Sequence, residues 1–293
     1  MSLVSIIVAT YRRADSLKKA LESLAEQTYS NIEIVLVDDN ADSTWNAKVF
    51  EIATDFGKNF PQVSLNYIAN SSNQGSAKTR NIGIAAAKGE YITFLDDDDI
   101  YLPNKCKKQV EFMENGNYDF SITDLVLYND SGKEIDRRIR SYIKDTSVSS
   151  LRLYNLKYHM TGTDTMMFKK EYLTKIGGFA PIDLGDEFYL MQRAIENGGK
   201  FGYLQGCDIK ALVHTGDSGL SSGDGKIKGE NALYEYKSTF FPQLSTEDIR
   251  YIKMRHFAVI AYAELRRKRY GTFFCNVIKA FFASPINFFT ILK

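Results

Sequence analysis

The chain has 293 residues, of which 44% are apolar and 25% are charged. This composition is typical of a globular protein and argues against a disordered chain. The three cysteines are odd in number and far apart, which argues against a disulfide framework or a zinc site and favours a reducing compartment. The formal net charge of +1 is unevenly distributed, because residues 250–293 carry nine Lys or Arg and one acidic residue.

The first part of the chain alternates short apolar runs with helical patterns. Residues 4–9 and 32–37 are nearly continuous apolar runs, as expected for strands that are buried on both faces. Between them, Leu17, Leu21 and Leu24 recur at helical spacing. Strand, helix and strand in this order predict a βαβ unit and therefore a parallel sheet.

An acidic run follows the most apolar strand pattern of this region. Residues 75–89 predict a loop and then a helix of small residues, which would pack close to the sheet and which Gly89 would end. Residues 91–95 then predict a buried strand, and the four carboxylates of Asp96 to Asp99 come directly after it. Four adjacent anions repel one another, so this pattern favours a bound divalent cation, Mg²⁺ or Mn²⁺, over an ordinary acidic loop.

The second half of the chain has a less regular pattern. Residues 137–162 show no clean period and predict an extended excursion that packs over the sheet, and the Gly- and Ser-rich residues 214–229 are typical of a lid. The remaining patterns predict strands at 118–128, 166–168, 201–204 and 209–213, and helices at 186–197, 230–240 and 246–268.

Polar side chains follow three of the predicted parallel strands. Thr10, the Asp38–Asp39 pair and Asp96 to Asp98 should therefore lie at one edge of the sheet, where open α/β folds bind ligands. A hydroxyl, carboxylates and a metal site suit a nucleotide ligand, and Arg80 adds a planar cation for phosphate or stacking. The chain has no Walker A segment and no G-x-G-x-x-G, which argues against a P-loop enzyme and a dinucleotide dehydrogenase.

Five segments, in order and at matching spacing, resemble the family 2 glycosyltransferases. The resemblance implies an α/β protein of the GT-A type, with a nucleotide-binding sheet flanked by helices and a C-terminal helical appendage. We expect a transferase domain over 1–229, with a donor half at 1–128 and an acceptor half at 129–229, and an extension at 230–293. The matching segments are residues 5–13, 27–29, 35–39, 77–83 and 89–99.

The resemblance implies transfer of one sugar from a nucleotide-diphosphate sugar to an acceptor hydroxyl, with inversion at the anomeric carbon. UDP is the favoured nucleotide, and cell-surface polysaccharide or glycolipid assembly is the expected setting, with a carbohydrate or lipid-linked acceptor. Asp96 and Asp98 match the family's D-x-D motif, which implies that they hold Mn²⁺ or Mg²⁺, and His214 is the candidate that completes the metal shell. The residues implied in nucleotide-sugar binding are Thr10, Tyr11, Arg13, Asp38, Asp39, Arg80, Asp96 and Asp97.

An inverting transfer needs a base on the acceptor side of the sugar. The family places this base in a Glu-Asp pair that is followed by Leu and Arg at fixed offsets, and Asp186–Glu187 matches these offsets with the two acids exchanged. Glu187 therefore occupies the usual position of the base, while Asp186 remains an alternative. A purely structural role at a helix N-terminus is the third interpretation.

The C-terminal region combines basic and aromatic residues. Arg266 to Arg269 precede apolar pairs spaced four residues apart, which favours contact with a membrane surface, and a helix docked on its own domain or on a dimer partner is the alternative. We see no secretory signal and no convincing spanning helix, so we expect a cytoplasmic enzyme at the inner face of the membrane, with no nucleic-acid partner and with oligomerisation left open. The competing functions are a sugar nucleotidyltransferase, which would need a Gly-rich loop after Ala9, and a non-catalytic nucleotide-sugar-binding scaffold.

Overall fold

Eleven strands and eleven helices make up the part of the chain that the structure, a computed structural model, describes: residues 1–182, 185–213 and 223–291. The strands are β1 (Val4–Thr10), β2 (Ile32–Asp38), β3 (Ser64–Ala69), β4 (Tyr91–Asp96), β5 (Ile100–Tyr101), β6 (Phe120–Thr123), β7 (Leu125–Asn129), β8 (Glu134–Arg138), β9 (Met167–Lys169), β10 (Phe201–Leu204) and β11 (Ile209–Val213). The helices are α1 (Ala14–Ala25), α2 (Ser43–Asn59), α3 (Ser76–Ala86), α4 (Lys105–Gly116), α5 (Val148–Tyr158), α6 (Lys170–Lys175), α7 (Asp186–Glu196), α8 (Gly223–Ser238), α9 (Thr246–Arg266), α10 (Tyr270–Ala283) and α11 (Pro285–Ile291).

The main sheet has seven strands in the order β10-β6-β9-β4-β1-β2-β3. All of them run in the same direction except β9, which is antiparallel to both of its neighbours, β4 and β6. The predicted parallel sheet is therefore confirmed at β1, β2, β3 and β4. The central strands are buried on both faces, as their continuous apolar runs require. A second sheet has the order β5-β11-β7-β8, with β8 as an exposed edge strand.

Helix α3 lies close to the sheet because its residues are small. A methyl group on Gly83 would lie 2.5 Å from Ile7 Cγ2 on the central strand β1. The helix does not end at Gly89, as the sequence predicts, but at Ala86, and Ala87 has extended backbone angles. Gly89 instead lies against the start of β1, where its amide donates to the Ser5 hydroxyl at 2.8 Å.

Substituting Gly89 by Ala is expected to lower the free energy of unfolding by about 1–3 kcal/mol, the usual range for overpacking. The new Cβ would lie 2.6 Å from the Ser5 backbone nitrogen and 2.7 Å from the Leu3 carbonyl oxygen, and backbone atoms of a central strand cannot move aside. Gly57→Ala in helix α2 is the matched control. Its Cβ would meet no atom within 4 Å, so we expect a gain of about 0.5–1 kcal/mol. Urea unfolding of both variants measures the difference, and equal stabilities would contradict this account.

The chain divides into two compact units. The first holds both sheets and comprises residues 1–151, 160–182 and 186–215; the second comprises 152–159, 183–185 and 216–293. In the second unit, α9 packs against α8 and α10, and Lys157 of α5 pairs with Asp248 of α9 at 2.6 Å.

Helix α5 falls in the region predicted to be an extended excursion. Its only fully buried apolar side chains are Leu151 and Leu156, which is too few for a recognisable helical period. Within the described ranges, no helix is long and apolar enough to cross a membrane.

Candidate active site

The ends of β1, β2 and β4 lie side by side at one edge of the main sheet. In the strand register, Thr10 is the partner of Asp38, and Ala9 is the partner of Asp96. The sequence-based expectation that these strand ends converge is therefore confirmed. The carboxyl ends of parallel strands form the ligand-binding edge of an open α/β sheet, so this edge is the candidate active site.

The four consecutive aspartates after β4 point in different directions. Asp97 faces β1, where it accepts hydrogen bonds from the Thr10 hydroxyl at 2.8 Å and from Arg13 Nη1 at 3.1 Å. Asp98 pairs with the same guanidinium nitrogen of Arg13. Burial and the charge of Asp98 raise the pKa of Asp97 to about 6, although Arg13 acts in the opposite direction. Two of the four aspartates are thus tied to the loop that follows β1.

The other two aspartates meet a carboxylate from a distant part of the chain. One carboxylate oxygen from each of Asp96, Asp99 and Asp164 lies within 4.8 Å of the others. Asp164 lies in a 3₁₀ turn before β9, and its carboxylate accepts a hydrogen bond from the Asp96 amide at 2.8 Å. Burial and the charge of Asp96 raise the pKa of Asp164 to about 7, and burial together with Asp164 raises the pKa of Asp99. Three crowded carboxylates are hard oxygen donors, which fits a divalent cation of the Mg²⁺ or Mn²⁺ type.

The structure brings together only some of the residues that the sequence predicts to bind the metal. The structure places Asp96 in this cluster, whereas Asp98 pairs with Arg13. Asp164 is a lone acid in a segment without periodicity, so no local sequence signal marks it as a metal residue. His214, the remaining predicted metal residue, lies outside the described residues.

A buried lysine, Lys105, is linked to the backbone of Asp164 through the hydroxyl of Tyr101. Lys105 of α4 donates to the hydroxyl oxygen of Tyr101 at 2.7 Å, and that hydroxyl donates to the Asp164 carbonyl at 3.1 Å. Burial lowers the pKa of Lys105 to about 8. This polar contact fixes the backbone that carries Asp164, and the sequence contains no signal for it beyond an ordinary helix lysine.

Asp38 and Asp39 organise the loops that follow β2 and β3. Asp38 accepts from the Tyr67 hydroxyl at 2.8 Å and from the Asn40 amide at 2.9 Å, so it holds the turn at the strand end. Asp39 accepts from the backbone amides of Gln74 at 2.8 Å and Gly75 at 2.9 Å, directly before α3. Both carboxylates are buried. They therefore fix the position of α3 relative to the strand ends.

Arg80 joins two carboxylates that come from different elements. Its Nη2 lies 2.7 Å from Asp96 Oδ1 at the end of β4, and its Nη1 lies 2.7 Å from Asp186 Oδ2 at the start of α7. The guanidinium lies 5.4 Å from the centre of the Phe179 ring. Burial alone would lower the pKa of Arg80, but Asp96 and Asp186 outweigh it and raise the pKa. In this structure Arg80 bridges two acids, and its contact with a phosphate or a stacked base stays a prediction.

The predicted acid pair begins helix α7 at the same edge. Asp186 is buried, and its Oδ1 accepts from the Glu187 backbone amide at 3.0 Å. Burial raises the pKa of Asp186 to about 7, and the hydrogen-bonded Glu187 carboxyl adds to this effect, while Arg80 acts in the opposite direction. Two carboxyl groups that share a proton near neutral pH can exchange it with a reacting group.

The chain directly after α6, at residues 176–179, is fixed by side chains from two helices. Arg193 Nη1 donates to the carbonyl oxygens of Ile176 at 3.1 Å and Gly178 at 3.0 Å, so it satisfies the end of α6. Asn81 of α3 bonds to both the amide and the carbonyl of Phe179, at 2.9 Å and 2.8 Å. Arg193 is the arginine at the matching offset in α7. It therefore has a structural role, because it holds the segment before Phe179, whose ring contacts Arg80.

Comparisons with known proteins agree with this fold. The family model "Glycosyl transferase family 2" matches residues 5–177. A glycosyltransferase of Haemophilus influenzae is 33% identical over 183 residues, which is 61% of this chain and 56% of that protein. The Escherichia coli protein WfaP, a UDP-Glc:α-D-GlcNAc-diphosphoundecaprenol β-1,3-glucosyltransferase, is 37% identical over 131 residues, or 44% of this chain and 49% of that protein. The matched chain thus spans about half the length of these two relatives.

One solved structure extends the comparison to nearly the whole chain. The mannosyltransferase PcManGT of Pyrobaculum calidifontis, in complex with GDP-Man and Mn²⁺, has a TM-score of 0.62 at 16% identity. The likeness covers 99% of this chain and 78% of that one. At this identity it shows the fold, and it confirms the predicted α/β architecture of the GT-A type. The family match over more than half of its residues shows that the chain belongs to glycosyl transferase family 2.

Proposed function

We propose that this protein is an inverting glycosyltransferase that moves one sugar from a nucleotide-diphosphate sugar to an acceptor hydroxyl. The observation that carries the proposal is the Arg80 bridge, because one guanidinium connects the acidic strand end at Asp96 with the acid pair at Asp186. A donor site and a base are thereby held at a fixed separation on one rigid unit. Fixed placement of both reactants is the main requirement of such a transfer.

The donor would bind at the ends of β1, β2 and β4. We assign Thr10, Tyr11, Arg13, Asp38 and Asp39 to the nucleoside side, where Thr10 and Asp39 come from neighbouring strands. Asp96, with Asp98 or with Asp99 and Asp164, would hold the divalent cation, which when bound neutralises the charge of the diphosphate leaving group. UDP is the nucleotide we favour, since the E. coli relative is named for UDP-Glc.

The acid pair would supply the base. We assign proton removal to Glu187 and treat Asp186 as its positioning residue, because Asp186 is already bonded to Arg80 and to the backbone amide of Glu187. As the acceptor oxygen forms its bond to the anomeric carbon, its proton passes to the Glu187 carboxylate. The bond from that carbon to the diphosphate breaks at the same time, and the diphosphate leaves with the electron pair. Attack from the opposite face gives inversion.

The acceptor we propose is a lipid-linked carbohydrate of cell-surface polysaccharide or glycolipid assembly. The support comes from the E. coli relative, whose name gives a diphosphoundecaprenol-linked acceptor. The three free cysteines of this chain suit a reducing compartment, so we place the enzyme in the cytoplasm. A lipid-linked acceptor would bring the enzyme to the inner face of a membrane.

Nucleotide binding by calorimetry tests the donor site. We expect UDP or GDP to bind in the presence of Mn²⁺, and Asp96→Ala and Asp98→Ala each to weaken this metal-dependent binding by roughly 10- to 100-fold. Asp164→Asn tests whether the third carboxylate of the cluster contributes as well. Asp136→Ala, an exposed aspartate of β8 that pairs with Arg138, is the matched control and should bind like the wild type. Failure of the wild type to bind either nucleotide would overturn the proposed donor site.

A further inference from the structure

Helices α10 and α11 expose a row of large apolar side chains in the second unit. Along α10 they recur at every fourth residue, so they lie on one side of the helix, and α11 adds two more. Each is between 55% and 85% exposed, which is unusual for so many large apolar residues in one place. We call this row the aromatic stripe, and it consists of Tyr270, Phe274, Ile278, Phe282, Ile286 and Phe289.

The opposite side of α10 is already packed, so the aromatic stripe is not needed to hold the helix in place. Ala280 is fully buried, the Thr272 hydroxyl donates to Glu264 of α9 at 2.9 Å, and Arg250 Nε of α9 donates to the Ala283 carbonyl at 2.9 Å. Phe281 packs against Phe288 at a ring distance of 5.7 Å, which joins α11 to α10. These contacts hold α10 and α11 in place through their packed sides, and the aromatic stripe therefore stays exposed.

Basic side chains accompany the aromatic stripe, and acidic ones do not. Arg266, Lys268 and Arg269 are exposed at the turn between α9 and α10, and Lys279 is exposed within α10. The sequence from residue 265 to the last residue contains no Asp or Glu. An apolar stripe whose own segment of the chain carries only positive charge is complementary to a surface that is apolar inside and negatively charged outside.

We propose that the aromatic stripe docks on the surface of a membrane that contains anionic lipids, with α10 lying in the plane of the interface. The 14 residues of α10 form a rod of about 21 Å, long enough to place four side chains of the stripe among the headgroups at once. The basic residues contact the lipid phosphates, while the aromatic and aliphatic side chains enter the boundary of the acyl chains. This docking concerns the second unit and does not depend on the assignment of the active site.

Vesicle flotation of the full chain tests the proposal. The wild type should bind vesicles of phosphatidylcholine mixed with phosphatidylglycerol and should bind much less to phosphatidylcholine alone. Phe274→Ser with Phe282→Ser should lower the partition coefficient about tenfold or more, because both side chains lose the apolar surface that they bury. Ile135→Ser with Ile139→Ser is the matched control and should bind like the wild type, because Ile135 of β8 and Ile139 directly after it are exposed apolar residues of the first unit.

A separate variant tests the basic residues that accompany the aromatic stripe. Replacing Arg266, Lys268 and Arg269 by Gln should lower binding to the anionic vesicles roughly 100-fold, at about fivefold for each charge. The same change at Lys18, Lys19 and Lys88, which are exposed in the first unit, should have no effect.

Circular dichroism and thermal unfolding confirm that every variant is folded. Equal binding to neutral and anionic vesicles, or no binding at all, would overturn the proposal. The proposal would also be overturned if the wild type formed a dimer, and if the Phe274 and Phe282 substitutions dissociated this dimer but left vesicle binding unchanged.

Discussion

Glu187→Gln is expected to lower kcat by about 10²- to 10⁴-fold, the usual contribution of a positioned general base, while nucleotide binding stays unchanged. The amide keeps the size of the side chain but cannot accept the acceptor proton. Because the donor edge at β1, β2 and β4 is built from other residues, calorimetry should give the same nucleotide affinity as the wild type. Steady-state kinetics with a UDP-sugar and an acceptor, together with calorimetry on the same protein, separates the two effects.

Asp186→Asn is the comparison that decides between the two acids. If Asp186 only positions its neighbour, this variant should lose less turnover than Glu187→Gln, since Arg80 remains paired with Asp96. A full loss in Asp186→Asn with turnover retained in Glu187→Gln would reverse the assignment. Glu196→Gln, at the other end of α7, makes the same chemical change away from the acid pair and should leave kcat unchanged.

The pH profile gives an independent check of the same assignment. A general base acts in its deprotonated form, so kcat/KM should fall as the pH drops below the apparent pKa of the acid pair and reach a plateau above it. The pKa of Asp186 is raised to about 7, and the two carboxyls are hydrogen-bonded, so the transition belongs to the pair and should lie near neutral pH. In Glu187→Gln this acid limb should disappear from the residual rate. A profile that is flat from pH 5 upward in the wild type would contradict a base with a raised pKa.

The strand ends could be predicted from the sequence because local patterns determine them. A continuous apolar run such as residues 91–95 can be satisfied only by a strand that is covered on both faces, and polar residues directly after it must lie at the edge of the sheet. The same holds for helix α7, whose apolar residues have a clear helical period and whose predicted start at Asp186 is confirmed. In both cases the signal lies within about ten neighbouring residues.

The partners of those residues could not be predicted, because they depend on contacts between distant segments. Asp164 lies 68 positions after Asp96 and meets it only because β9 runs antiparallel between β4 and β6. Likewise, the charge of Arg80 suggested a phosphate contact, whereas the packing of α3 and α7 places it between two carboxylates 16 and 106 positions away. Side-chain type alone cannot distinguish a ligand contact from an internal ion pair.

Arg80→Met is expected to lower the free energy of unfolding by about 3–5 kcal/mol, because removing one member of a buried ion pair leaves the other charge without compensation. Arg80 and Asp186 are both buried, and Asp96 would lose the same partner. Met fills a similar volume, so the loss would arise from charge more than from a cavity. Urea denaturation measures it. Arg137→Met removes an exposed guanidinium that pairs with Glu134 and is the matched control, and its stability should stay close to that of the wild type.

Two further measurements show whether the uncompensated carboxylate is the cause of the Arg80→Met loss. The double variant Arg80→Met with Asp186→Asn should recover part of the stability, since it removes the stranded charge, and a double-mutant cycle gives the size of the coupling. The loss in Arg80→Met should also be smaller below pH 7 than above it. Asp186 already has its pKa raised to about 7 with Arg80 present, and without the guanidinium it takes up a proton more readily, which removes the buried charge. A loss that is the same at both pH values and in the double variant would show that Arg80 stabilises the fold by packing, and that the bridge between Asp96 and Asp186 has no electrostatic role in folding.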